Sequence, residues 1–201
     1  PYATFIHLDL AEDPDEPLQR HRFGLRGGRL ALIDELVEGP LVLVGSSMGG
    51  WIACLVACAR AGNRRTAPSG LVLIAPALDF TQSLLWDRFT PEIRAQIERD
   101  GAWLRPSAYD PTPVPITHAL IQDGQRHCLL GANFDPGCPV HILQGMDDPD
   151  VPYTHALRVV ERLPKAGTLL TLIADGDHRL SRPQDLQQLL TTVTEFRVSA
   201  D

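Results

Sequence analysis

Four short, near-continuous runs of valine, leucine and isoleucine, at 41–45, 71–75, 140–143 and 169–173, constrain this chain more than any other feature. Runs of this length without alternation suit strands that helices cover on both faces. A fifth strand candidate lies at 4–8, and helix-like stretches follow or separate the runs at 28–37, 48–61, 153–163 and 183–197. Strands alternating with helices predict an α/β domain built on a mostly parallel sheet. The last helix is predicted to start from a capping Ser181 with Pro183 in its first turn. It carries Leu186, Leu189, Leu190, Val193 and Phe196 at helical spacing.

Composition narrows the class of protein. With 201 residues, 44% hydrophobic and 21% charged, the chain reads as one globular domain over 1–201, large enough to fold on its own core. A net charge of −7 and 6% aromatic content argue against nucleic acid as a partner, which would need a basic stripe or stacking rings. No apolar run approaches the roughly 20 residues of a membrane span, and no charged-then-apolar leader opens the sequence. None of the four cysteines sits in a C-x-x-C pair, so zinc and thioredoxin spacings are absent. Cys54 and Cys58 read as core packing in a helix, and Cys128 and Cys138 could bridge only if loop geometry allows it; cysteine usage agrees with a reducing compartment, and the expected one is the cytoplasm.

One stretch interrupts the alternation. Residues 79–137 show no strand pattern and are rich in Trp, Pro and Arg. Thr90-Pro91 reads as a helix start with Ile93 and Ile97 as its apolar stripe, and 115–123 as another short helix. An insertion of this length between core strands is usually functional; it is expected to form a helical cap over the carboxyl ends of the sheet.

Gly45-Ser46-Ser47-Met48-Gly49 is G-x-S-x-G between a predicted strand and a predicted helix, the context that gives the pattern meaning. A sharp turn there lifts Ser47 above the sheet at a helix N-terminus, where the Met48 N–H can receive a developing oxyanion. Gly45, Gly49 and Gly50 are expected to make room for the turn. A serine needs a base, and the base needs an orienting acid. The loops after the last two runs supply both. Asp148 leads as acid, with Asp147, Asp150 and Asp79 as alternatives. His178 leads as base over His7, His21, His118, His127, His141 and His155. Asp175 and Asp177 read as turn residues.

Together GSSMGGW, LQGMDDPDVP and GDHRLSRPQDL resemble the α/β-hydrolase superfamily of serine hydrolases. The likeness extends through GAWLRPSAY, RHCLL and Cys138-Pro-Val to the branch of acyl-protein thioesterases and acyl-glucuronide esterases with their bacterial esterase relatives. It covers the chain from about residue 30 onward. The resemblance implies Ser47 as nucleophile, His178 as base and Asp148 as acid, the last because it occupies the aspartate of G-x-x-D-x-x-V-P. It implies cleavage of carboxylic ester or thioester bonds in small-molecule substrates with medium-to-long acyl chains through an acyl-enzyme, with no metal or organic cofactor.

The family places more strands before the serine turn than this sequence shows, so N-terminal strands are apparently missing. The second oxyanion N–H then has either no source or one in the backbone of 9–11. Trp86, Phe89, Trp103 and Tyr109 are candidates to wall an acyl site, and Arg88, Arg99, Arg105 and Arg126 to receive an anionic group. Rival readings are a catalytically impaired relative acting as a binding module and a C–C bond hydrolase of the same fold.

Overall fold

The computed structural model describes residues 40–61, 67–106 and 113–198. The strand candidate at 4–8, the helix at 28–37, the backbone of 9–11, His7, His21 and Tyr109 therefore lie outside the described residues.

The described residues fall into two compact units. The first comprises 40–78 and 129–198. Strand β1 (Val42–Ser46) leads through Ser47 into helix α1 (Met48–Ala61), and β2 (Gly70–Ile74) follows. The second unit, Asp79–Cys128, begins with a π-helical turn (Phe80–Leu85) and a 3-10 turn (Trp86–Arg88). It continues through α2 (Pro91–Asp100), β3 (Ala102–Arg105), β4 (Val114–Thr117) and α3 (His118–Gln125). The chain then returns to the first unit with β5 (Val140–Gly145), α4 (Tyr153–Arg162), β6 (Thr168–Ile173) and α5 (Pro183–Val198). No described helix is long and apolar enough to cross a membrane.

Four parallel strands form the sheet of the first unit in the order β1-β2-β5-β6. Position in that order explains the hydrophobic pattern. Every residue of the central strands β2 and β5 is buried, whereas β6, at the edge, leaves Leu169 59% exposed. Gly70 is where α5 closes on the sheet: a Cβ there would run into the ring of Phe196. Ile74, Leu143 and Leu180 form a cluster with Ile173 and Leu189, packing the carboxyl ends of three strands beneath the loops that leave them.

Two local expectations are corrected. Ser181 is not the cap of the last helix. The Leu186 N–H bonds to the Arg182 carbonyl, and a carboxylate oxygen of Asp185 accepts the Arg182 N–H. A first-turn carboxylate reaching back to the N-cap N–H satisfies one donor at the helix start, the half of a capping box that the third helical residue supplies. The segment 79–137 is also not purely helical, because β3 and β4 pair antiparallel inside the second unit. The break of Pro111, Pro113 and Pro115 in the sequence hid them; in the structure Pro115 faces Leu104 across a ribbon that has two strands among the described residues, and proline is tolerated on such edge strands. The end of the segment, from Leu129, belongs with the sheet unit.

Within the second unit, Thr90 caps α2 through its hydroxyl, which accepts the Ile93 N–H at 3.4 Å, and Ile97 is fully buried. Leu85, Ile97, Ile116 and Ile121 make its core, with Trp86, Phe89 and Trp103 packed against them.

Candidate functional site

Each loop that matters leaves the carboxyl end of a parallel strand, so three distant segments meet along one edge of the sheet. At the end of β1 the backbone turns so tightly that Ser47 adopts φ 52°, the left-handed region. A non-glycine residue held there costs roughly 1–3 kcal/mol and persists only when its surroundings fix it. Here they do. The Ser47 N–H donates to the Ile74 carbonyl (2.8 Å), and the Ser47 carbonyl accepts from Ala77 and Gly50 N–H (3.0 Å each). Gly45 has no room for a side chain, since a Cβ would meet the Gly49 carbonyl and lie 2.8 Å from the Gly50 Cα. Gly50 is close behind at 3.1 Å from Pro76, but a Cβ on Gly49 would meet nothing within 4 Å. The expectation that all three glycines are sterically required is thus corrected for Gly49.

After β5, the turn folds around Asp148. One carboxylate oxygen (Oδ1) accepts the N–H groups of Asp150 and Val151, both at 2.9 Å. The other (Oδ2) accepts from His178 Nδ1 at 2.8 Å. After β6, Asp177 accepts the N–H groups of Arg179 and Leu180, the turn role expected of it, and leaves His178 projecting toward the serine. The His178 Nε2 to Ser47 Oγ distance is 3.1 Å. An ionised carboxylate only accepts, so the imidazole proton sits on Nδ1 and Nε2 is the acceptor that faces the serine hydroxyl. The Asp148 side chain is fully buried and that of His178 is 20% exposed, which shields the acid and leaves the imidazole within reach of a substrate.

The electrostatics follow from these contacts. Burial alone would raise the Asp148 pKa. Hydrogen bonds from His178 and the Val151 and Asp150 N–H groups, with the charge on His178, outweigh it and hold the carboxyl below its usual range. His178 is pushed the other way. Its hydrogen bond to Asp148, aided by the negative charges of Asp148, Asp150 and Asp177, exceeds the opposing effect of burial and raises its pKa.

Asp148, Asp150 and His178 also bring three ligand-type atoms within 4.8 Å of one another. The atoms that Asp148 and His178 would offer a cation already face each other across a proton, so filling that site would disable the imidazole as a base.

The other candidates separate cleanly. Asp147 is exposed and contributes its backbone N–H to the Gly176 carbonyl (3.0 Å), and Asp79 belongs to the second unit. His141 is buried in β5 against Thr171, and His155 is buried in α4 with Nε2 2.9 Å from the Leu78 carbonyl. Trp86, Phe89 and Trp103 serve the core of the second unit. Arg99 is paired with Asp100, and Arg126 lies 3.5 Å from Asp123, whereas Arg88 and Arg105 are exposed.

Three residues of the site lie inside the quoted motif words but were given no role there. Gln144 is buried at the end of β5 beside Asp148. Arg182 binds the Asp175 carboxylate with both terminal nitrogens and reaches Asp185 as well, tying together the two ends of the loop that carries His178. Gly176 meets Gly145 so closely that a Cβ on either would strike the other's backbone. Repeated acceptors and opposite charges at short spacing were the available signals for Arg182; nothing in the sequence marked Gly176.

That glycine contact sets the distance between the acid turn and the histidine loop. A Cβ on Gly145 would meet the Gly176 carbonyl and lie 2.6 Å from the Asp177 carbonyl, with only backbone available to yield. Gly145→Ala is expected to cost about 1–3 kcal/mol of stability from overpacking. It should also slow covalent labelling of Ser47 by a fluorophosphonate about 100-fold, since a shift near 1 Å between reacting groups has that effect. Thermal melts and labelling rates check both; an unaltered labelling rate would show that the contact does not set the geometry.

Known proteins resemble this chain over most of its length. The profile described as "Alpha/beta hydrolase family" matches residues 3–188. Palmitoyl-protein thioesterase ABHD10, mitochondrial, from Bos taurus is 35% identical over 170 residues, covering 83% of this chain and 53% of the relative. The chain spans about half the length of the curated relatives it matches. Among solved structures, a protein from Agrobacterium vitis S4 is 42% identical with a TM-score of 0.81, over 90% of this chain and 69% of that one. Mouse alpha/beta hydrolase domain-containing protein 10 is 31% identical with a TM-score of 0.75, over 87% of this chain and 68% of the other. The parallel sheet, the strained serine turn and the profile match lead to one conclusion: the chain belongs to the alpha/beta hydrolase family.

Proposed function

We propose that this protein hydrolyses carboxylic esters or thioesters through an acyl-enzyme on Ser47. The observation that carries the reading is the continuous path Ser47 Oγ–His178 Nε2 (3.1 Å) and His178 Nδ1–Asp148 Oδ2 (2.8 Å). His178 takes the hydroxyl proton as Oγ attacks the carbonyl carbon, and Asp148 holds the tautomer and stabilises the imidazolium. The Met48 N–H, first in α1 and without a carbonyl one turn earlier in the helix, donates to the tetrahedral oxyanion. His178 then returns the proton to the departing alcohol or thiol, and water releases the acyl group by the reverse path. A hydrogen-bonded trio of this kind weighs against a purely binding module, and no group beyond these residues is invoked as cofactor or metal.

For the substrate we favour esters and thioesters with extended acyl chains, because the named relatives are palmitoyl-protein thioesterases. The setting we propose is a reducing compartment, with all four cysteines free. Cytoplasm is the sequence-based reading, whereas the relatives' names carry mitochondria.

A panel of p-nitrophenyl esters of graded chain length tests the reading, with kcat/KM expected to rise from acetate toward longer chains. A flat or falling series would reject the acyl-chain preference, and no turnover of any member would reject esterase activity. The pH profile has a fixed sign. The base must be neutral to act and its pKa is raised, so activity falls as pH drops through a midpoint above the ordinary imidazole value. A midpoint at or below that value would contradict the Asp148–His178 coupling.

A further inference from the structure

We infer that Gln144 is a positioning residue for the acid of the triad: its buried side-chain amide fixes the plane of the Asp148 carboxylate and moderates its hold on His178. The inference rests on the hydrolase reading above and extends it to a residue given no role from the sequence.

Gln144 is completely buried at the end of β5, a place where its neighbours Ile142 and Leu143 are apolar. Its Nε2 has three acceptors around it: the Gly145 carbonyl at 2.9 Å, the Val151 carbonyl at 3.0 Å and Asp148 Oδ2 at 3.3 Å. Turning the amide over would place its oxygen against three oxygens, so the orientation is determined by the surroundings. The amide thus ties the start of the acid turn to its end and touches the carboxylate that the turn presents. Its own carbonyl oxygen finds no partner. A buried acceptor left unpaired is a cost to folding, so the burial of this amide is better explained by what its nitrogen does.

The carboxylate of Asp148 has a division of labour. Oδ1 is fixed by two backbone N–H groups, and Oδ2 is shared between His178 and Gln144. Among these partners, Gln144 is the fixed donor on the oxygen that the imidazole uses. It opposes rotation of the carboxylate about its bond to Cβ, and it draws off part of the negative charge that would otherwise fall on the imidazolium. Removing it has two consequences. The carboxylate loses a restraint, so the imidazole is less well aimed at Ser47. The carboxylate also becomes more basic toward His178, so the acid limb of the pH profile moves up. The charged groups facing His178 are Asp148, Asp150 and Asp177, and none of them changes in the variant.

The test compares Gln144→Met, similar in length and without a donor, with wild type on a p-nitrophenyl ester. Expected are a fall in kcat of about 10-fold or more with little change in KM, and an acid limb displaced to higher pH. In the background of Asp148→Asn the same substitution should leave kcat unchanged, because the carboxylate it serves has gone. A purely structural role predicts instead an equal loss in both backgrounds and an unmoved acid limb, and either result overturns the proposal. If Gln144→Met does not fold, Gln144→Asn carries the test: its amide is one methylene too short to reach Asp148, so the acid limb must again move up, and an unmoved limb overturns the proposal. The failure of the underlying reading is separately visible, as wild type would then show no hydrolysis that depends on Ser47.

Discussion

Replacing Ser47 by alanine is expected to lower kcat/KM for ester hydrolysis by about 10⁴- to 10⁶-fold, the range seen when the nucleophile of such a triad is removed, and to abolish labelling by a fluorophosphonate. The reason is the location of the hydroxyl. Ser47 Oγ is the group that faces His178 Nε2, and no other hydroxyl is hydrogen-bonded to that nitrogen among the described residues. The fold should survive. Alanine meets the same backbone cost at φ 52° as serine, and the hydrogen bonds that pin the turn come from the Ser47 backbone and not from its side chain. A stability change within about 0.5 kcal/mol is therefore anticipated, which separates lost chemistry from lost structure. Equal labelling of both proteins by the probe, or equal turnover, would refute the assignment of the nucleophile.

How much of this was legible in the sequence depends on the range of the interaction. The central strands were visible because burial on both faces leaves an unbroken apolar run, and β2 and β5 have that environment. The serine turn was visible because its geometry is local: a strand, a glycine with no room for a side chain, and a helix follow one another within a few residues. Asp148 and His178 were located by chain order and loop position, although 30 residues separate them from each other and 131 separate His178 from Ser47. What the sequence concealed was the close packing around the site. The contact of Gly145 with Gly176 exists only once β5 and β6 lie side by side, and the three acceptors around Gln144 converge only once the turn after β5 has closed on itself. The ribbon of β3 and β4 was missed for a different reason, since prolines that would break a central strand are tolerated in a pair that has no third strand among the described residues. The aromatic residues of the second unit were offered as an acyl wall, yet Phe89 and Trp103 stack edge to face, 5.2 Å apart, within its core. Aromatic residues satisfy either demand equally well, and residue type alone does not distinguish them.

The substitution Asp148→Asn should lower kcat/KM by about 10⁴-fold while leaving most of the structure in place, and the surroundings of this carboxylate specify how. The amide oxygen must take the place of Oδ1, because two backbone N–H groups at 2.9 Å demand an acceptor there. The amide nitrogen is then forced into the place of Oδ2, against His178 Nδ1 and Gln144 Nε2. A donor facing Nδ1 requires that nitrogen to accept, which drives the imidazole proton to Nε2. The N–H then points at Ser47 Oγ, and the base offers the nucleophile a donor where it needs an acceptor. Loss of the negative charge also removes the main cause of the raised His178 pKa, so the residual activity should show its acid limb at lower pH than wild type. These two effects separate the orienting role of Asp148 from mere support of the turn. A substitution by alanine would lose the tethers to Asp150 and Val151 as well, whereas asparagine keeps them and changes only the face toward the histidine. Imidazole proton resonances and the pH–rate profile of the asparagine variant provide the measurements. Wild-type activity, or a proton still on Nδ1, would mean that some other group orients His178.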